Sequence, residues 1–206
     1  AFDWLMSLDA HWYSTIFGAY VFAGSVLSAL SFLTLYVLYM KRKNILGDVI
    51  TVEHYYDFGK LLFAFIVFWG YMAFSQYFLI WYGNIPEETI WFTHRWIGGW
   101  KVISLIIVFG KFVVPFFILF PQGPKKSKVF LTIMAFWILI AHWFDLFWII
   151  MPGFMHEHLH FSWMDVSTML AIGGFFVAVF QYYSRTQPLV PLKDPGLEKS
   201  IKFVNQ

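Results

Sequence analysis

The sequence predicts an all-α integral membrane protein, a bundle of about five transmembrane helices. Three observations carry that expectation. Of the 206 residues, 60% are hydrophobic and 13% charged, whereas soluble domains hold about 25% charged residues. Apolar runs recur along the chain, each long enough to cross roughly 30 Å of hydrocarbon at about 1.5 Å per residue. Finally, neither Asn-Gly or Asp-Gly hairpin signals nor period-2 strands interrupt these runs, so helices are the way to satisfy the backbone in lipid.

The spans are expected at about 15–40, 60–82, 99–120, 129–151 and 166–184, forming one bundle over 1–184. The opening "AFDWLMSLDAHWYS" has no initiator Met and no basic region before a short apolar stretch. It is expected to be an interior start, not a signal peptide. The first span holds Gly18, Gly24, Ser25, Ser28 and Ala29, and the fifth holds Ala171, Gly173 and Gly174. Small residues four apart (Gly24 with Ser28, Ser25 with Ala29) let helices approach closely. They imply more helices nearby than this chain supplies, from an oligomer, a missing half or partner subunits.

Two connections are informative. In "GNIPEETIWFTHRWIGG", Pro86 can open a helix with Glu87 and Glu88 in its first turn, favourable for the helix dipole. A short helix lying on the membrane surface and ending near Gly98-Gly99 is expected. The tail, residues 185–206, contains "TQPLVPLKDPGLEKSIKF" with three prolines and is expected to run extended, as a docking segment. None of the spans shows a mid-span Gly-Pro break of the kind that marks broken-helix transporters.

Loop charges set the orientation. Lys41, Arg42 and Lys43 follow the first span; Lys125, Lys126 and Lys128 follow the third; Arg185, Lys193, Lys199 and Lys202 follow the fifth. The other side holds Arg95 and Lys101 against Asp3, Asp9, Glu87, Glu88, Glu157 and Asp165. Positive charge stays inside, which predicts a periplasmic N-terminus and a cytoplasmic C-terminus for a multi-pass protein of the bacterial inner membrane. Trp4, Trp12, Trp81, Trp91, Trp96, Trp100 and Trp163 are expected to form the outer aromatic belt. A net charge of +2 is too small to suggest nucleic acid as a partner. These residues include no cysteine, which excludes Cys-ligated iron–sulfur clusters and C-x-x-C-H haem attachment within them.

Ionisable groups at membrane depth are the candidate functional residues. Lys111 lies in the third span, and His142 and Asp145 in the fourth; Ser75 and Gln76 add polarity to the second. A charge at mid-bilayer costs roughly 2.5–3.5 kcal/mol even on lenient scales, so such residues face a partner or a water-filled cavity. His142 and Asp145 share a helix face, about 20–24 Å above the cytoplasmic end, and Lys111 lies about 14 Å above it. The lysine chain can reach the pair if the two helices face each other. Asp145 as exchangeable carboxyl, His142 as relay and Lys111 as tuning charge would make half of a proton path; a buried polar clip fixing helix register is the alternative. Lys111 alone could also snorkel to the surface.

Bis-histidine haem would need two histidines at matched depth. His142 alone is deep; His54 sits near the cytoplasmic boundary, and His11, His94, His156, His158 and His160 near the outer one. The alternate spacing of His156, His158 and His160, with Glu157 between, suits an extended solvated or interface loop better than a zinc site, so no metal ligand is assigned. Gln76, Tyr77 and Trp81, apolar walls with sparse polar tips, suit a quinone headgroup. Interfacial anchoring predicts the same composition.

The blocks "SLDAHWYSTIFGAY", "EHYYDFGKLLFAF", "FSQYFLIWYGNIPEETIWF", "HWFDLFWIIMP" and "WMDVSTMLAIGG" together resemble the NrfD-like membrane proteins of bacterial alternative complex III, a quinol:cytochrome c oxidoreductase. That complex has two such proteins, and the likeness is to the one without the family's better-supported quinol site. The blocks cover most of the chain; Ala10 and Gly83 depart mildly from the pattern. The resemblance implies the C-terminal part, the second half, of a longer NrfD-like subunit. It implies as partners a second NrfD-like subunit, an iron–sulfur subunit, cytochrome c subunits, a lipoprotein, surrounding lipids and a neighbouring terminal oxidase. Haems and iron–sulfur clusters would then sit in those partners, none bound by this chain alone. Menaquinone or ubiquinone contact would be secondary here, because the principal quinol site would lie in the partner NrfD-like subunit. The family's proposed proton half-channels run through both such subunits, which adds weight to His142 and Asp145.

The expected function is thus a non-haem membrane subunit of a respiratory quinol-oxidising complex, a scaffold with a proton-conducting path. A purely structural assembly subunit and an independent membrane transporter are the competing expectations.

Overall fold

The computed structural model describes residues 1–47, 49–155, 160–191 and 193–204, and among these it is helical with no strand. After a short 3₁₀ turn at Met6–Leu8 come α1 (Phe17–Arg42), α2 (Val52–Gly83) and α3 (Pro86–His94). The third span is composite, with α4 (Trp100–Ile107), a π-helical segment (Val108–Val113) and α5 (Val114–Leu119). Then follow α6 (Gln122–Lys126), α7 (Lys128–Ile150), α8 (Pro152–Met155), α9 (Trp163–Thr186) and α10 (Leu197–Ile201). Among the described residues, five helices are long and apolar enough to cross a membrane: Phe17–Arg42, Val52–Gly83, Trp100–Leu119, Lys128–Ile150 and Trp163–Thr186.

Four of these spans lie close to the stretches read from hydropathy. The second does not, because α2 begins at Val52 and not near residue 60. Thr51 and His54 form a reciprocal cap at its start, and the polar first turns carry their own pairs, Lys60 with Asp57 at 2.7 Å and Lys126 with Glu53 at 3.4 Å. Local capping and pairing extend the helix through sequence too polar to register as a span. At the other end Asn84 takes the left-handed conformation (φ 49°) and its N–H bonds the carbonyl of Ile80 at 3.0 Å, which stops the helix.

Pro115 accounts for the irregular third span. It has no N–H to give the carbonyl of Lys111 four residues back, and its ring crowds that carbonyl. The chain responds over Val108–Val113 with π turns, in which each donor moves one residue further along. The Gly110 carbonyl then faces Pro115 and has no intrahelical donor; the indole N–H of Trp137 on α7 supplies one at 2.6 Å. The span continues without a break, but it is not the uniform helix its apolar sequence suggests.

α1 packs against both α2 and α7, and the third span packs against α2 and α7. The core has two halves. One is built on Trp12, Phe17, Tyr20, Trp69, Trp91, Trp100 and Phe147, the other on Leu27, Leu62, Ile66, Leu119, Leu131 and Ile138. The expected tryptophan belt therefore divides. Trp12, Trp91 and Trp100 are buried, with Trp12 stacked on Trp91 at 4.5 Å, while Trp4, Trp81, Trp96 and Trp163 are exposed. α9 has no buried residue; it meets α1 through Phe176 and Phe180 against Phe32 and Tyr36. A Cβ added at Gly173 or Gly174 would meet nothing within 4 Å, so those small residues leave an open face within this chain. The tail is extended at Gln187 but forms the single turn α10 before its end, and so is not extended throughout.

Candidate functional site

The three ionisable residues at depth converge in the structure. α1, the π segment and α7 meet where the two halves of the core join, and the charges sit at that junction. Lys111 Nζ is ion-paired with Asp145 Oδ2 and lies 3.0 Å from His142 Nδ1. His142 Nδ1 is 3.8 Å from Asp145 Oδ2. A lysine ammonium has donors only, so His142 Nδ1 accepts and the ring carries its proton on Nε2. The other Asp145 oxygen accepts from the hydroxyl of Tyr20. Lysine, histidine, aspartate and tyrosine thus form one continuous hydrogen-bonded chain.

Burial is graded along it. Lys111 is 0%, Asp145 1% and Tyr20 5% exposed, whereas the His142 side chain keeps 14%. The ammonium also lies 4.4 Å from the Trp69 ring centre, a cation–π contact that partly replaces its lost hydration. A buried lysine–carboxylate pair leaves no net charge at the junction, and the tyrosine fills an acceptor position that would otherwise be unpaired. Histidine is the most exposed member of the cluster.

Two of the residues that build this site carry no charge, and sequence reasoning misses them. Tyr20 is one of many span aromatics; its signal is that it stands four residues before Gly24, on the same face of α1. Gly24 reads as a helix-packing residue. In the structure a Cβ at this position would stand 3.1 Å from His142 Cε1 and 3.2 Å from Lys111 Nζ, so the glycine makes room for the polar cluster. We expect Gly24→Val to cost about 1–3 kcal/mol by overpacking, read as a lowered unfolding temperature of the purified protein in detergent. Parent-like stability would show that the space is not needed.

The residues considered for a quinone do not share a site. Gln76 turns inward with Ile80, one turn away, and is 3% exposed; its amide nitrogen has no partner among the described residues. Tyr77 and Trp81 lie on the outward face at 48% and 61% exposure, with Tyr77 packed edge-on to Phe92 at 5.3 Å. His156, Glu157 and His158 lie outside the described residues, and among those described no group of three His, Asp or Glu is placed to hold a metal. His54 is bonded to Thr51 and Ser200, away from His142.

Arg95 is a second buried charge, which the sequence marks only as an indicator of sidedness. Its guanidinium donates to the carbonyls of Trp148 (3.1 Å), Ile149 (2.7 Å) and Trp91 (2.9 Å) and lies 3.5 Å from the Trp91 ring centre. Burial pulls its pKa down to about 9, opposed by Asp9, so it stays charged at neutral pH. A cation on the last carbonyls of a helix complements the helix dipole. This fastens the end of α7 one turn beyond Asp145. No family model matches the chain, and no curated protein matches it.

Proposed function

We propose that the chain moves protons through the Tyr20–Asp145–Lys111–His142 cluster, as a redox-silent membrane subunit of a respiratory quinol:cytochrome c oxidoreductase. The observation that carries the proton role is the continuous hydrogen-bonded chain of titratable groups held at span depth. Each member bears or accepts an exchangeable proton, and Lys111 stands in a π segment, a feature frequent at functional sites. The complex is supported by the resemblance of five sequence blocks and by the open face of α9, which suits a neighbouring subunit. In this reading the N-terminus is periplasmic, the C-terminus cytoplasmic and the membrane the bacterial inner one. Iron–sulfur and cytochrome c subunits, a second NrfD-like subunit and a lipoprotein are the partners, and they would hold the redox centres and the principal quinol site.

Asp145→Asn in the assembled complex tests the proposal, with quinol oxidation and proton movement measured separately. Asparagine keeps the shape but cannot carry a proton as the carboxyl does, so proton movement is expected to fail while some quinol oxidation persists. If both are unchanged, Asp145 is not on a proton route. Tyr20→Phe keeps the ring and removes one hydrogen bond to a charged acceptor, worth about 1.5–3 kcal/mol; slowed proton movement at near-normal assembly is expected. A purely structural cluster has one observation in its favour, that it ties α1, the third span and α7 together. That alternative predicts altered assembly yield at unaltered turnover per assembled complex.

A further inference from the structure

A cavity of about 380 Å³ lies at the end of the bundle away from the Trp12–Trp91 stack, between the last turns of α1, the α1–α2 turn, the start of α2 and the returning tail. That volume falls within the range of about 300–1,000 Å³ found for small-molecule sites. Its walls are mostly apolar, with Met40, Ile50 and Val190 among them. Its polar side chains are few: Tyr36, His54, Asp194 and Ser200. Tyr36, its ring packed edge-on against Phe180 at 4.8 Å, lines the cavity with a buried hydroxyl that has no partner among the described residues.

Ser200 supplies a second hydroxyl. His54 Nδ1 accepts from the Thr51 N–H at 3.1 Å, so the ring proton is on Nε2, which lies 3.1 Å from Ser200 Oγ. Having accepted that bond, the serine keeps its own O–H to donate. The carboxylate of Asp194 already accepts from the Gly196 N–H at 2.7 Å. Among the described residues no lysine or arginine lines the cavity. Two hydroxyl donors in apolar walls, with an acid and no cation, disfavour a phosphate and suit acceptor oxygens on an uncharged body.

We infer that this cavity binds a neutral, carbonyl-bearing lipid, with the Tyr36 and Ser200 hydroxyls donating to its oxygens and Leu189, Val190, Pro191, Asp194, Gly196 and Leu197 forming the outer wall. An isoprenoid quinone and the ester groups of a diacylglycerol share that chemistry. The test is photo-crosslinking of the full chain in nanodiscs with a diazirine-bearing decyl-benzoquinone, a diazirine diacylglycerol and, as charged comparison, a diazirine phosphatidylglycerol, followed by peptide mapping. Labelling is expected within 36–54 or 189–200 by one neutral probe, which identifies the source, and to be lost on adding excess of the same lipid unlabelled. Tyr36→Phe should weaken labelling about fivefold, the loss of one hydrogen bond, and Val190→Trp should abolish it by filling the space. Equal labelling by phosphatidylglycerol, labelling confined to other segments, or labelling indifferent to both variants overturns the inference. If either variant proves misfolded, competition on the parent decides: labelling that excess unlabelled lipid does not reduce also overturns it.

Discussion

Lys111→Met is expected to lower the stability of the bundle by about 3–5 kcal/mol, because it leaves the Asp145 carboxylate buried without its counter-charge. Both side chains are essentially inaccessible, so water cannot take the lysine's place without opening the contact between the third span and α7. The reverse variant, Asp145→Leu, strands the ammonium in the same way, with the neutral His142 Nδ1 and the Trp69 face left to it but no counter-charge. Removing both charges together has a different outcome. In Lys111→Met/Asp145→Leu no buried charge remains, and most of the lost stability is expected to return, since apolar replacement of a buried pair is often neutral or better. The Tyr20 hydroxyl then loses its acceptor and His142 Nδ1 its donor; the buried hydroxyl costs about 1–3 kcal/mol, and adding Tyr20→Phe should remove that cost. Unfolding in detergent measures all four proteins. The triple variant also separates the two readings of the cluster: a folded, assembled complex without proton movement means the charges are there for protons, whereas one that moves protons normally rules out this route. Should the single variants prove as stable as the parent, the ion pair is not formed as described.

The five spans are legible in the sequence because hydrophobicity over about 20 residues is a coarse property that neighbours cannot overrule. Lys111, His142 and Asp145 are legible for the complementary reason: charge inside lipid is costly enough to need a cause. What the sequence conceals are contacts that depend on which helices become neighbours. Tyr20 is an ordinary aromatic until α7 brings Asp145 to it, and Gly24 is an ordinary small residue until two polar side chains need its missing Cβ. The early start of α2 is hidden because caps and ion pairs, not hydropathy, hold its first turns. The π segment is readable in principle from Pro115 beside Gly110, but its donor, Trp137, lies on another helix. The same limit divides the tryptophans: depth puts Trp12, Trp91 and Trp100 in a belt, whereas stacking with one another and with Phe147 puts them in the core.

Arg95→Ala is expected to be the other large loss, roughly 3 kcal/mol, from a residue that composition would class as a surface charge. The variant leaves the carbonyls of Trp148, Ile149 and Trp91 without their guanidinium donor, each bond to a charged donor being worth about 1.5–3 kcal/mol before the end of the helix relaxes toward water. It also removes a desolvated cation–π contact on Trp91 of about 2 kcal/mol. The sum of these gross values exceeds the expected loss because burying the cation is itself costly, as its pKa of about 9 records. Lysine should recover less than half: it keeps the charge but cannot spread donors over three carbonyls or lie flat on an indole. Near-UV circular dichroism reports the Trp12–Trp91–Trp148 cluster, stacked at the first contact and edge-on at the second, and unfolding temperature reports the stability. Asp145 lies one turn before the fastened carbonyls, so loosening this end of α7 should also slow proton movement without any change to the cluster's own residues. An Arg95→Ala protein with parent stability and an intact aromatic signal would show that α7 is positioned by its packing alone.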